Sequence, residues 1–285
     1  MTLDPRLTPA RPDLAAAHLR GCVEADRFVE GEVRLVTAPQ APVRRAPSPE
    51  APLDTEALAG ERVTIYEATD EGWAWGQLAD DGYVGWLPAS ALGPPGPEPT
   101  HKVAAPRTLA FPGPSIKLAP LAGLPFGARV AVVGTAERFC LTTHGYIPAP
   151  HLAPLGIVEP DFVAVAERFL GTPYLWGGKS SLGLDCSGLV QLALAACGIA
   201  CPRDADLQER ALGAPVSSAD FAGLARGDLV FWKGHVAVVR DRQTLVHANA
   251  FHMAVAHEPI VEAIARIRTA EGAPTSVRRL PRRGE

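Results

Sequence analysis

The sequence predicts an α+β domain at the C-terminal end of the chain, preceded by two small all-β barrels. Three observations carry that prediction. Residues 62–92 and 129–152 repeat each other as short alternating β runs with the same ending. From Asp161 the pattern changes to two helical stretches with apolar faces. Three consecutive strand-like runs then follow, and helices ahead of antiparallel strands indicate an α+β domain.

The 285 residues allow about two domains. With 20% charged and 47% hydrophobic residues, the chain can build a packed core. Its net charge of -4 leaves no electrostatic footprint for nucleic acid. The cluster Arg278, Arg279, Arg282 and Arg283 reads as the solvated edge of a last strand or a tail. The five cysteines form no CxxC pair, which argues against structural zinc. A chain of this size stabilises itself by burial and needs no disulfide framework. Neither a metal nor another cofactor is expected. Residues 1–20 hold no long apolar run, being interrupted by Asp4, Arg6, Arg11 and Asp13. They contain neither an ordinary signal peptide nor a membrane span, so a cytoplasmic protein with reduced thiols and no membrane partner is expected.

The elements follow in order. Asp13 to Glu30 reads as one helix, with Leu14, Ala17, Leu19 and Val23 as a partial stripe and Gly31 as a stop. The proline-rich stretch from Ala38 to Pro52 fits a loop better than a sheet interior. The first repeat runs from Arg62-Val63-Thr64-Ile65-Tyr66 to Gly82-Tyr83-Val84-Gly85-Trp86-Leu87-Pro88-Ala89. The second runs from Arg129-Val130-Ala131-Val132-Val133 to Gly145-Tyr146-Ile147-Pro148-Ala149. Internal similarity of this kind argues for a duplicated module. Gly93 to Thr100, with four prolines, reads as a stiff linker. Each repeat resembles a bacterial SH3-like domain, the first more strongly through Gly72-Trp73 and its Gly-Tyr-x-Gly-Trp ending. Trp73, Trp75 and Trp86 are expected in the barrel core or on its surface. The boundaries are 1–32 for an N-terminal helical segment, 33–93 and 101–155 for the barrels, and 160–285 for the last domain.

Within that domain, Asp161 to Leu170 and Leu184 to Gly198 read as helices. Asp228 to Lys233, His235 to Arg240 and Thr244 to Asn249 read as strands. Cys186 follows a glycine-rich turn and precedes the apolar run Leu189, Val190, Leu192, Ala193 and Leu194. That places it at a helix N-terminus, where unpaired amides and the macrodipole favour a thiolate. The same amides could stabilise an oxyanion formed beside the sulfur. His235 opens one strand and His247 lies on the next. If the turn sets residues of equal parity opposite one another, both histidines project from one face. One would then accept the thiol proton and the other hold its tautomer, the logic of nucleophile, base and orienting group.

The runs Gly171-Thr172-Pro173-Tyr174-Leu175-Trp176-Gly177-Gly178, Asp185-Cys186-Ser187-Gly188-Leu189-Val190 and Gly234-His235-Val236-Ala237-Val238-Val239 together resemble the NlpC/P60 family of cell-wall peptidases. The resemblance implies a papain-like catalytic domain with Cys186 as nucleophile, His235 as base and His247 as third polar residue. It implies Tyr174 and Ser187 near the oxyanion and substrate site, and Trp176 as a wall of the substrate pocket. With SH3-like domains in front, the chain is similar to the γ-D-glutamyl-diamino-acid peptidases. That implies peptidoglycan stem peptides, L-Ala-γ-D-Glu-diamino acid, as substrate, with a free N-terminal alanine. Pro202-Arg203-Asp204-Ala205-Asp206-Leu207-Gln208 matches a family element in which Asp204 would pair with the substrate amine. Tyr83, or else Tyr66, would close the pocket from the first barrel, Tyr83 being preferred because a turn-flanked side chain projects. Two other classes remain open: an acyltransferase or lipid-directed hydrolase on the same Cys/His core, and a non-catalytic module binding wall peptides.

Overall fold

The computed structural model describes residues 3–216 and 223–281. Arg282 and Arg283 of the basic cluster lie outside the described residues. The chain divides into two compact units, Met1–Ile157 and Val158–Glu285.

In the first unit, a seven-stranded antiparallel sheet runs in the order Leu53–Leu58, Gln40–Arg44, Val84–Pro88, Trp73–Leu78, Arg62–Ala68, Glu32–Val36, Leu92–Gly93. Alternation puts Val36, Val43, Val63, Leu78 and Leu87 in one core. Its glycines have a packing purpose. At Gly85 a Cβ would stand 2.5 Å from the Val43 side chain, so only glycine lets the two strands close. The proline-rich stretch 38–52 departs from the loop expected of it, because Gln40–Arg44 is a strand paired with Leu53–Leu58. Its other side pairs at Arg44, with Trp86, so Pro42 removes no essential donor. The second repeat forms three smaller sheets around Val103, Ala110, Leu124, Val130 and Ile147.

The N-terminal helix is corrected. Leu14–Ala16 is a strand paired in parallel with Arg27–Val29, and between them lies a single 3-10 turn, Ala17–Leu19. Leu14, Ala15 and Ala16 are all fully buried, a continuous apolar run that no helical stripe would bury. Leu14 packs on Trp75 and Trp86, and the Arg11 guanidinium lies 4.4 Å and 5.0 Å from those ring centres. The segment is an extended strap over the barrel's aromatic face, and its tertiary contacts outweigh helix propensity.

The second unit opens with α1 (Phe162–Glu167), whose first amides are capped by Asp161. α2 (Cys186–Ala196) is apolar on nearly all sides and is buried accordingly. α3 (Ala205–Ala211) follows. The strands are β1 (Asp228–Trp232), β2 (His235–Val239), β3 (Thr244–Asn249), β4 (Ala254–Pro259) and, after α4 (Ile260–Ala270), β5 (Ser276–Arg279). The sheet order is Ala214–Pro215, β5, β1, β2, β3, β4, antiparallel throughout. Trp232, Val239, Leu245, Ile260 and Ile267 pack α4 on one face of the sheet, while α2 packs against β2 and β3. This is the expected α+β order. In the basic cluster, Arg279 is a strand residue paired with Asp228 at 2.6 Å. No helix among the described residues is long and apolar enough to cross a membrane.

Candidate active site

Cys186 is the first residue of α2 because Asp185 ends the preceding extended chain and caps the helix. One Asp185 oxygen accepts from the Gly188 amide at 2.7 Å, the other from the Gly177 amide at 2.9 Å. The turn before it needs glycine twice over. Gly177 has φ +77°, and a Cβ on Gly188 would stand 2.2 Å from the Gly178 carbonyl oxygen. Arg203, 1% exposed, locks the assembly. Its guanidinium donates to both Asp185 oxygens at 2.9 and 2.7 Å, to Ser187 Oγ at 2.9 Å and to the Gly178 carbonyl at 3.2 Å. Gln208 donates to the carbonyls of Ser187 and Pro202, both at 2.9 Å, tying α3 to the start of α2.

The Cys186 sulfur is seated against the backbone on either side of His235. It lies 3.9 Å from the Gly234 carbonyl, and the Val236 amide also interacts with it. β2 and β3 pair Val238 with Val246, which puts His235 and His247 on one face, diagonally adjacent. His235 Nε2 and His247 Nδ1 are 2.9 Å apart. The chain of contacts continues beyond the expected residues. His247 Nε2 is 2.9 Å from Glu258 Oε2, and Arg266 donates to both Glu258 oxygens at 2.9 and 2.7 Å.

Burial opposes the thiolate expected at this helix end. Burial pushes the Cys186 thiol up to about 12, and the Asp185 carboxylate adds to the rise. The Val236 and Ser187 amides and the Arg203 charge act the other way without overcoming it. Burial likewise lowers His235 to about 3, with the His247 and Arg266 charges contributing. Both shifts run toward the neutral forms, an arrangement that suits transfer of the Cys186 proton to His235 as the sulfur attacks.

The remaining expected residues are placed as follows. Tyr174 is half-buried. Its amide donates to the Met253 carbonyl at 2.9 Å, and burial raises its phenol. Trp176 is 66% exposed, free to serve as a wall. The Ser187 side chain is corrected: its hydroxyl is turned inward to Arg203 and Asp185, and only its amide acts on the sulfur. Asp204 is half-exposed at the residue before α3. Tyr83 is also corrected. It is 4% exposed within the core of the first barrel: it immediately precedes the strand Val84–Pro88 and packs in the same core as Leu87, so the flanking turn does not free it. Tyr66 is half-buried against Trp75, ring centres 5.9 Å apart.

Arg203, Glu258 and Arg266 were missed as site residues. Arg203 stands inside a recognisable run, but nothing local shows that its charge is buried. Glu258 becomes visible only once β4 is paired with β3, and Arg266 only once α4 is folded back beside it. Among the described residues, His247, His252 and Glu258 form one group that could offer metal ligands. The Glu258 oxygens already accept from Arg266 and His247, and a dication there would meet a fixed guanidinium. These residues fit a hydrogen-bond chain better than an ion.

Residues 43–92 match the bacterial dipeptidyl-peptidase SH3 domain and residues 171–270 match the NlpC/P60 family. The chain is 41% identical over 124 residues to dipeptidyl-peptidase 6 of Lysinibacillus sphaericus, covering 40% of this chain and 44% of that one. It is 28% identical over 236 residues to γ-D-glutamyl-L-lysine dipeptidyl-peptidase of Bacillus cereus, covering 69% and 67%. It thus spans 44% and 67% of the lengths of these two relatives. An NlpC/P60 family protein of Bacillus cereus has the same fold, with TM-score 0.72 and 22% identity over 88% of this chain and all 100% of that one. With a cysteine at the head of a buried helix and a histidine line beside it, the chain carries an NlpC/P60 domain over residues 171–270, and a bacterial SH3 domain over residues 43–92.

Proposed function

We propose that this chain is a cysteine peptidase that hydrolyses the γ-D-Glu–diamino acid bond of peptidoglycan-derived peptides carrying a free N-terminal L-Ala. The observation that carries the reading is the line Glu258, His247, His235, with the Cys186 sulfur held against the backbone flanking His235. The γ-D-glutamyl bond is favoured by similarity to the Bacillus cereus enzyme, which is named for it.

In this reading the Cys186 sulfur attacks the γ-carbonyl of D-Glu while its proton passes to His235. In this reading the amide of Ser187 and the phenol of Tyr174 would donate to the oxyanion. Collapse of the tetrahedral adduct breaks the C–N bond. His235 then returns the proton to the departing amine of the diamino acid. Water, deprotonated by the same imidazole, attacks the thioester; the C–S bond breaks, the γ-carboxylate is freed, and His235 returns the proton to the Cys186 sulfur. Asp204, adjoining the rigid Arg203, would receive the alanine ammonium as a charge-assisted partner. Mass spectrometry of the products from L-Ala-γ-D-Glu-L-Lys and its meso-diaminopimelate counterpart tests the proposal. The expected products are L-Ala-D-Glu and the free diamino acid. Cleavage after alanine, or cleavage of phospholipid with the peptides left intact, would overturn it.

A further inference from the structure

We infer that Glu258 is a positioning residue that fixes which ring nitrogen of His235 is the base. The inference deepens the proposed function and rests on its Cys186–His235 chemistry.

A neutral histidine has one ring nitrogen that donates and one that accepts. Glu258 is ionised, its carboxyl lowered to about 2, against burial, by hydrogen bonds from Arg266 and His247. A carboxylate only accepts, so His247 Nε2, 2.9 Å away, must carry the proton. His247 Nδ1 is then a lone pair. Facing it at 2.9 Å is His235 Nε2, which must in turn be the donor. That leaves His235 Nδ1 unprotonated, the nitrogen not engaged by His247 and the one available to the thiol. One buried charge thus sets two tautomers in series. The opposite setting would put a proton on His235 Nδ1 and make it useless as a base.

The carboxylate is itself immobilised. Glu258 lies on β4 and is 5% exposed. Arg266, on the first turns of α4, grips both its oxygens, and the guanidinium is covered by the Phe251 ring at 4.5 Å. His252, the remaining titratable neighbour, is held by Asn249 at 3.0 Å. After proton transfer, the His235 imidazolium still donates through Nε2 to His247, so the line also supports the charge formed during attack.

The test combines nitrogen-15 NMR of the imidazoles with two variants, using the full chain. In the wild type, His247 should be protonated at Nε2 and bare at Nδ1, and His235 protonated at Nε2. This readout needs no substrate, so it stands even if the proposed peptide is not the one cleaved. Glu258→Gln can still place its amide oxygen at the Oε2 position, where both His247 and Arg266 require an acceptor. It should keep the tautomers and stay within about tenfold of wild-type kcat on whichever peptide the wild type cleaves. The double variant Glu258→Leu/Arg266→Leu removes the acceptor together with the charge it would leave unpaired. It should fold, lose the His247 Nε2 proton preference, and drop kcat about a hundredfold or more with KM little changed. Wild-type His247 protonated at Nδ1 would overturn the inference. So would a folded double variant with kcat within tenfold of wild type, because Glu258 would then be merely structural.

Discussion

Arg203→Met tests whether the helix bearing the nucleophile is held by a buried charge pair. The wild-type guanidinium makes at least four hydrogen bonds, two of them to Asp185 at 2.9 and 2.7 Å, in a site 1% exposed. Methionine keeps much of the volume and removes them all. Asp185 would retain the Gly177 and Gly188 amides but lose its counter-charge. Breaking a buried pair from one side costs about 3–5 kcal/mol, a large share of the ~5–15 kcal/mol that holds a typical domain together. Turnover should fall as well, since the uncompensated Asp185 carboxylate raises the Cys186 thiol further. Hydrogen exchange of the α2 amides across a urea series reads this unit separately from the barrels. The double variant Asp185→Asn/Arg203→Met, with both charges gone, should recover a large part of the lost stability. A single variant destabilised by less than about 1 kcal/mol would refute the reasoning, because that is the value of an exposed pair.

Other expectations follow from the same geometry. His235→Ala should reduce kcat nearly as far as loss of the nucleophile, and His247→Ala less, because His247 acts through His235; a larger loss for folded His247→Ala would exchange their roles. Acid should destabilise the second unit. His235 is lowered from 6.5 to about 3 and His247 is lowered too, so below about 6.5 the unfolded chain binds protons that the folded one refuses. Stability is then full above that value and falls on acidification by up to ~1.4 kcal/mol per pH unit per histidine, with Glu258 adding to the loss below 4.5. A urea midpoint for the second unit that rises between pH 7 and pH 5 would contradict this. Acetylating the alanine amine of the substrate should lower kcat/KM by roughly thirty- to several-thousand-fold, the ~2–5 kcal/mol of a charge partner removed. Equal cleavage of both peptides would remove Asp204 from that role.

The active-site half of the fold was legible because its signals are local. A glycine-rich turn, a cysteine and an apolar run predict the head of α2, and strand parity predicts that His235 and His247 share a face. What was hidden depends on tertiary contact. The strap at Leu14–Ala16 has a composition that suits a helix, and only the Trp75 and Trp86 surface makes it extended. Tyr83 looked exposed beside a turn, yet one residue of parity separates projecting from buried. Glu258 and Arg266 lie 11 and 19 positions beyond His247 in a stretch without motif; pairing of β3 with β4 brings Glu258 to it, and α4 brings Arg266 to Glu258. The charge balance at Cys186 is partly hidden too. A helix end favours the thiolate and the adjoining Asp185 opposes it, both legible in the sequence, but the depth of burial that raises the thiol is not.

The central claim is that Cys186 is the nucleophile. Cys186→Ala, checked for unchanged circular dichroism and urea midpoint, should be assayed for kcat/KM on the γ-D-glutamyl tripeptide. The account predicts a loss of at least about ten-thousand-fold, ~5.4 kcal/mol in the barrier at ~1.36 kcal/mol per tenfold. A folded variant retaining activity within about tenfold of the wild type would contradict it.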